Sequence, residues 1–180
     1  MQLNIYILAH PIIQTLSNYT TRVKNNNFIY YLKSQQLGTF LVYEVIRQWI
    51  DTNNIYIKKI NYFQQLNINN PFESYSIITD LTNSYHIVTD IGKLLPQTKF
   101  KQIDKLNMSI PYETNEKIIL FEQFLYDYNI IESIDYLKKY QQIDIDQIKI
   151  ACIICNSKIL DQIGRIYPNL EIYTTKIINL

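Results

Sequence analysis

Two carboxylates in one polar segment are the residues of this sequence best suited to chemistry. Glu122 and Asp127 lie in the stretch 122–129, which separates two apolar segments. Carboxylate oxygens are the protein ligands that Mg²⁺ prefers, so a magnesium site is one interpretation. Loop carboxylates are more often simply solvated, so we predict no metal site and keep a magnesium-binding loop as an alternative.

The flanking segments predict how this loop is held. Residues 118–121 form an apolar run typical of a buried strand, and Ile130, Ile131, Ile134 and Leu137 recur at helical spacing. Strand, loop and helix in this order bring a loop and a helix N-terminus to an anionic ligand in many parallel sheets. The segment 122–129 contains no glycine, so the usual close approach of backbone to a phosphate is not expected.

Three further side chains could be reactive, and for each a structural role is favoured. Cys152 and Cys155 form a C-x-x-C pattern inside an apolar, β-branched run with no second pair. We therefore interpret them as buried strand thiols in a reducing compartment rather than as a redox or zinc site. His10 has no acidic partner nearby in the sequence, so it is interpreted as a residue at the start of a helix rather than as a general base.

The rest of the chain predicts an α/β fold with a mainly parallel sheet. The central strands are expected near Ile77, Ile119, Ile150 and Ile172. Helices are predicted over residues 11–24, 28–49 and 157–167, and Asp80 is expected to cap a helix that runs to Leu95. Shorter strands are expected over residues 3–8, 54–60 and 99–103, a hairpin or loop over 62–70, and a last strand over 167–174. We predict one domain, residues 1–180.

Charge and composition exclude two classes of partner. The net charge is +1, so there is no electrostatic case for nucleic acid, and no apolar run reaches the length needed to span a membrane. The sequence is rich in Ile, Asn, Gln, Lys and Tyr and poor in Gly. These abundant residues tend to have A/T-rich codons, which indicates an A/T-rich genome such as that of a plastid.

Two segments at fixed spacing carry a resemblance to a known family. The run His10-Pro11-Ile12-Ile13-Gln14 is similar to H-P-L-I-Q, and residues 36–47, Q-L-G-T-F-L-V-Y-E-V-I-R, are similar to E-L-G-x-L-L-A-Y-E-x-x-R at the same separation. Residues 167–174, Y-P-N-L-E-I-Y-T, resemble H-P-D-V-x-I-Y-T. These are motifs of the uracil phosphoribosyltransferases, and the resemblance covers nearly the whole chain. It implies a phosphoribosyltransferase fold, a parallel sheet flanked by helices.

The resemblance also implies where a substrate site would lie. Family members transfer a phosphoribosyl group from a magnesium-bound diphosphate sugar to uracil, and they are commonly built from dimers. Their phosphate loop reads D-P-M-L-A-T-G-G-S. Its aspartate and proline fall on Phe121 and Glu122, and its T-G-G-S falls on Tyr126, Asp127, Tyr128 and Asn129.

Two further family elements are altered. The arginine of the pyrophosphate turn, R-A-G, falls on Asp80, and the uracil-reading segment N-G-Y-I-V-P-G-L-G-D-A-G-D-R has no counterpart before Leu180. We therefore expect a C-terminally truncated homologue that has lost catalysis, with no catalytic residue and no cofactor.

We also expect a homodimer located in a plastid, or otherwise in the cytoplasm. Three alternatives stay open: a binding or regulatory module that keeps the dimer surface, an enzyme whose Glu122 and Asp127 hold magnesium in a rearranged loop, and a decaying gene product.

Overall fold

Six parallel strands form the centre of the computed structural model, which describes residues 3–22, 28–50, 52–69, 73–95, 97–102 and 116–179. The elements follow in chain order: β1 Asn4–Ile7, α1 Pro11–Arg22, α2 Phe28–Ile46, β2 Thr52–Lys58, β3 Phe63–Asn69, β4 Tyr75–Thr79, α3 Leu81–Val88, α4 Ile91–Leu94, β5 Thr98–Gln102, β6 Lys117–Leu125, α5 Asn129–Tyr140, a 3₁₀ turn Ile145–Gln147, β7 Ile148–Asn156, α6 Ser157–Ile166 and β8 Glu171–Ile178. The sheet order is β1-β8-β7-β6-β4-β5, and every pairing in it is parallel. The predicted fold class is confirmed.

Helices cover both faces of this sheet and form two apolar cores. On β6, Ile119 and Phe121 pack in the core that contains α1, α2 and α3, while Ile118 and Leu120 pack in the core that contains α5 and α6. Successive strand residues point to opposite faces, so a strand buried on both sides reads as the continuous apolar run seen in the sequence. The four strands predicted as central are all in the sheet.

The contact between α2 and α3 depends on one glycine. A Cβ atom on Gly38 would lie 2.0 Å from the backbone carbonyl oxygen of Ile87 and 2.6 Å from its side chain. Only a residue without a side chain lets the two helices approach this closely. Gly38 lies in the family-like segment 36–47, and this close packing explains why a glycine stands at that position.

The hairpin β2–β3 is separate from the main sheet. Its two strands pair in antiparallel register, with Ile55 opposite Leu66 and Lys58 opposite Phe63. For residues 62–70 the sequence predicted either a hairpin or a loop, and the structure shows a hairpin. Its apolar side chains are largely exposed, with Tyr56 65% and Phe63 69% accessible.

Several predicted boundaries are wrong by a few residues. Helix α2 ends at Ile46 because residues 47–49 turn back, and the N–H of Trp49 donates to the carbonyl of Ile46 at 2.7 Å. The helix expected from Asp80 to Leu95 is two helices, with a turn at Thr89. The last strand begins at Glu171 rather than at residue 167.

The largest correction concerns the end of β6. The segment 122–129 was predicted as a loop, but β6 continues to Leu125. Glu122, Phe124 and Leu125 pair with Cys152, Ile154 and Cys155 of the apolar strand β7, so backbone pairing extends the strand beyond its apolar run. Glu122 is therefore a strand residue, and the connection to α5 is limited to residues 126–128.

The predicted positions of His10 at a helix start and of the two cysteines on a buried strand are confirmed. His10 lies at the start of α1, where its Nδ1 accepts the N–H of Ile12 at 3.3 Å. Cys152 and Cys155 are both free and fully buried on β7. They share the α5-side core because strand alternation breaks between them, where the hydroxyl of Thr175 donates to the carbonyl of Ile153 at 2.6 Å.

No helix within the described residues is both long and apolar enough to cross a membrane.

Candidate functional site

A cleft of about 1120 Å³ opens at the carboxyl ends of β4 and β6. The chain leaves β4 for the sheet edge at β5 and returns to the other side of β4 as β6. Such a reversal separates the two connections and creates a crevice, which is where open parallel sheets bind their ligands. The strand order therefore selects this cleft as the candidate site.

The cleft brings together five of the seven residues predicted from the sequence. Asp80, Phe121, Glu122, Asp127 and Asn129 line it. Helices α2 and α3, on one face of the sheet, and α5, on the other, supply most of the remaining lining, together with the end of β5.

The other two predicted residues, Tyr126 and Tyr128, do not line the cleft. The ring of Tyr126 stacks on that of Phe124, with centroids 5.7 Å apart. Tyr128 is 51% exposed and occupies the N-cap position of α5 without making a side-chain cap.

Asp80 is held by the start of α3. Its carboxylate accepts the backbone N–H of Thr82 at 3.0 Å and the side-chain amide of Asn83 at 2.5 Å, and it lies 3.4 Å from the amide nitrogen of Gln102. Burial alone would raise the pKa of Asp80, but the hydrogen bonds from Asn83, Gln102 and Thr82 lower it overall. The predicted helix cap is confirmed, and it fixes a carboxylate at the mouth of the cleft.

Glu122 is the most perturbed acid in the cleft. Burial, and after it the negative charges of Asp127 and Asp80, raise the pKa of Glu122 to about 7. Within the described residues, no hydrogen bond or ion pair involves the Glu122 carboxylate. A largely buried, unpaired carboxyl group with a raised pKa is typical of functional sites.

Helix α5 adds more negative charge than positive. Glu132 and Asp135 line the cleft from this helix, and Lys139 of the same helix also lines it. Its ammonium nitrogen lies 3.6 Å from the Asp135 carboxylate, and that carboxylate also accepts the hydroxyl of Tyr167. Among the described lining residues, five carboxylates therefore stand against one lysine that is already paired.

This lining does not fit a magnesium-bound diphosphate sugar. The N-terminus of α5 points backbone N–H groups toward the loop, which favours an anion. Glu132 in the first turn of α5 already places a negative charge next to the positive end of the helix dipole. In the described residues only Gln142 has a positive φ, 55°, so residues 126–128 do not form a backbone anion nest. The described residues also contain no group of three or more His, Cys, Asp or Glu side chains arranged to hold a metal ion.

Aromatic side chains make up much of the walls, and sequence reasoning missed them. Tyr30 and Tyr31 come from α2, and Tyr136 and Tyr140 come from α5. Tyr31 meets His86 edge to face at 5.2 Å, and Tyr136 stacks on Tyr140 at 5.2 Å. Tyrosine is so frequent in this sequence that no local signal marks these four.

Comparison with known proteins gives relatives along the whole chain. A protein of the red alga Pyropia yezoensis named uracil phosphoribosyltransferase homolog is 30% identical over 98% of this chain and 89% of its own length. One of the same name from Porphyra purpurea is 29% identical over the same shares. A uracil phosphoribosyltransferase of the cyanobacterium Synechocystis is 21% identical over 98% of this chain and 88% of its own. No family model matches the chain.

Solved structures support the fold independently. The AQ2163 protein from Aquifex aeolicus superposes with a TM-score of 0.78 at 16% identity, over 97% of this chain and 88% of that one. Adenine phosphoribosyltransferase from Leishmania donovani superposes with a TM-score of 0.56 at 10% identity, over 96% and 82%. At these identities the likeness concerns the fold alone.

Proposed function

The chain belongs to the uracil phosphoribosyltransferase family, and from that premise we propose that it is a member that no longer transfers phosphoribosyl groups. The observation that carries the proposal is the charge of the cleft. The carboxylates of Asp80, Glu122 and Asp127 line the cleft in which a diphosphate would have to bind. Hydrogen bonds lower the pKa of Asp80, which keeps it ionised, and Asp127 adds a second negative charge beside Glu122. A carboxylate near a polyanion repels it, and for the largely buried Glu122 poor solvation strengthens the repulsion.

The loop after β6 supports the same proposal through its backbone. The family's T-G-G-S positions hold Tyr126, Asp127, Tyr128 and Asn129, and none of the four has the positive φ that glycine provides for phosphate cradling. The family's aspartate position holds Phe121, which is fully buried in the α2-side core. We accordingly expect no cofactor and no catalytic residue.

The direct test is turnover by the purified full chain. Radiolabelled uracil, the diphosphate sugar and Mg²⁺ should yield no uridine monophosphate above the level of a heat-denatured sample. Uracil-dependent release of pyrophosphate by the unmodified protein would overturn the proposal.

A second measurement tests the stated cause. At pH 8, where Glu122 with its pKa of about 7 is mostly ionised, the double variant Asp80→Asn, Glu122→Gln should bind pyrophosphate at least about tenfold more tightly than the unmodified chain, because two repelling charges are removed. Asp161→Asn is the matched control, since Asp161 is exposed on α6 and does not line the cleft. Equal pyrophosphate binding by all three proteins would show that charge is not the reason.

We further propose that the retained role is that of a homodimeric module. Apolar side chains are exposed on α2, where Phe28 is 79% and Tyr43 50% accessible, and on both faces of the β2–β3 hairpin, where Ile55 is 45% and Tyr56 65% accessible. A two-stranded hairpin is marginally stable alone in water, and exposed apolar surface of this kind favours association. A second copy of the chain would bury it.

Sedimentation tests the dimer. The chain should sediment as a dimer that dissociates on dilution, and Tyr56→Ser with Phe63→Ser should shift it to monomer. The control pair Ile5→Ser with Ile166→Ser alters exposed apolar residues elsewhere and should leave the dimer intact. A monomer at all concentrations would contradict the proposal.

The A/T-biased composition and the red algal relatives support a plastid location, which imaging with an antibody to the chain would test.

A further inference from the structure

The edge of the sheet formed by β1 is open to a further strand. Among the described strands, β1 is the first in sheet order and pairs only with β8. The N–H of Leu8 donates to the carbonyl of Thr174 on β8 at 2.8 Å. Backbone groups alternate between the two sides of a strand, so the N–H and C=O groups of Ile5 and Ile7 point away from β8. Such unpaired groups are a template for pairing with another chain.

The residues of β1 do not protect this edge. The strand reads N-I-Y-I, without a charge or a proline, and Ile5 and Ile7 are 37% and 54% exposed. The opposite edge strand, β5, carries Lys99 and Lys101, and Lys101 is buried. Lysines and inward-pointing charges are devices by which natural proteins prevent an edge from pairing. Their presence on β5 and absence from β1 favour a binding role for β1.

Helix α6 forms the wall of a groove beside this edge. The groove has a volume of about 720 Å³ and is lined by Leu3, Ile5, Leu160, Asp161, Gly164, Arg165 and Pro168. Gly164 lets the helix lie close to the chain before β1, because a Cβ atom on it would be 3.3 Å from the Cβ of Leu3. A helix beside an open edge strand is an arrangement in which domains bind an extended peptide as an added strand. None of these residues lines the cleft at β4 and β6, so the groove is a separate site.

Two opposite charges on α6 define what the groove can bind. Asp161 and Arg165 are exposed, and no ion pair joins either of them to a described residue. Helix α6 connects the parallel strands β7 and β8, so it runs opposite to the strands. Because Gly164 lies at Leu3, Arg165 is also near Leu3, and Asp161 is about one turn further along the groove, toward Ile5. Four helical residues span about 6 Å, close to the roughly 6.6 Å between alternate residues of a strand.

We propose that β1 and α6 bind an extended segment of a partner protein as an added strand, with a basic side chain opposite Asp161 and an acidic one opposite Arg165. The two charged residues of the segment are two positions apart, so both side chains lie on the face toward α6. Antiparallel pairing is slightly more stable per residue than parallel pairing, so the segment runs opposite to β1 and its basic residue comes first. An apolar residue two positions before the basic one covers the exposed side chain of Ile7.

Fluorescence anisotropy of two labelled peptides with the full chain tests this. The first peptide, T-V-T-K-T-E-T, has the proposed order of charges, and the second, T-V-T-E-T-K-T, has the same composition with the charges exchanged. We expect the first to bind with a Kd of about 10–100 µM in low salt, and the second at least about fivefold more weakly. No binding of the first peptide at about 1 mM chain, or equal or tighter binding of the second, would overturn the inference.

Matched variants locate the site. Asp161→Arg with Arg165→Asp exchanges the two exposed charges of the groove, and this variant should prefer the second peptide by about the same factor. Asp90→Lys with Lys93→Asp exchanges a pair on α4 that is also near the surface and should leave the preference unchanged. A preference that stays the same in the α6 variant would refute the assigned charges. Methylation of the backbone nitrogen of the peptide lysine removes a donor to β1 and should abolish binding, whereas retained binding would refute strand addition.

Sedimentation of the full chain distinguishes a partner protein from a second copy. If copies of this chain paired through β1, Ile5→Ser with Ile166→Ser would reduce their association, and the inference would be wrong about the occupant. We expect these two substitutions to weaken binding of the first peptide at least about threefold, because they remove apolar surface at the groove and beside it, without changing the oligomeric state. Unchanged peptide binding would also overturn the inference.

Discussion

Replacing Glu122 by glutamine should stabilise the protein at alkaline pH and change little at acidic pH. Glutamine has nearly the shape of the protonated glutamic acid but cannot ionise. In the folded chain, burial and the neighbouring Asp127 and Asp80 raise the pKa of Glu122 from 4.5 to about 7. In the unfolded chain these neighbours are gone, so the glutamate ionises without that penalty.

The sign and size of this change in the free energy of unfolding follow from the difference in the pKa of Glu122 between the folded and unfolded states. Because the folded state binds the proton more tightly, the contribution of protonated Glu122 is complete below the unfolded pKa of 4.5 and is lost as the pH rises through 7. The loss at pH 8 is at most about 3 kcal/mol, and at pH 5 it is about 1 kcal/mol or less. Glu122→Gln should avoid it, which corresponds to a rise in Tm of up to roughly 6–12 °C at pH 8.

Urea unfolding followed by the fluorescence of Trp49 measures this, with unmodified protein and variant compared at pH 5 and pH 8. Asp161→Asn is the control, and its free energy of unfolding should follow that of the unmodified chain at both pH values. A gain for Glu122→Gln that is the same at pH 5 and pH 8 would refute the reasoning, because packing rather than ionisation would then be responsible. A loss of stability at pH 8 would show that the carboxylate has a stabilising partner.

Other substitutions test the packing that positions the cleft. Gly38→Ala should destabilise the chain by about 1–3 kcal/mol in urea unfolding, because its Cβ would meet a backbone carbonyl of α3 at 2.0 Å, whereas Gly92→Ala, with its nearest contact at 3.7 Å, should be neutral or stabilising. Phe121→Asp, which restores the residue found in the family, should lower the free energy of unfolding by at least about 3–5 kcal/mol, since it empties a fully buried core position and places a carboxylate there; a smaller loss would mean that the core relaxes around the acid. Cys152 and Cys155 should be inert to a thiol reagent in the folded protein and react only on unfolding, because both are buried, and fast labelling of the native chain would contradict that burial.

Local patterns were sufficient for most of the elements. Apolar runs predicted the buried strands because strands covered on both faces need apolar residues at every position, and the cap at Asp80 was predictable because it involves only residues 80–83. The family was predictable for the same reason, since its motifs at residues 10–14 and 36–47 start α1 and build the α2 packing surface. The end of β6 was not, because its backbone partners lie on β7, far away in the sequence.

The candidate site shows the same division. The sequence marked Asp80, Glu122 and Asp127 as carboxylates in positions where the family has other residues, which required only an alignment of motifs. That these three face one another, beside tyrosines from α2 and α5, follows from the strand order β6-β4-β5. Electrostatic repulsion and burial act between groups that are neighbours in space, so the raised pKa of Glu122 exists only once the sheet has brought distant segments of the chain together.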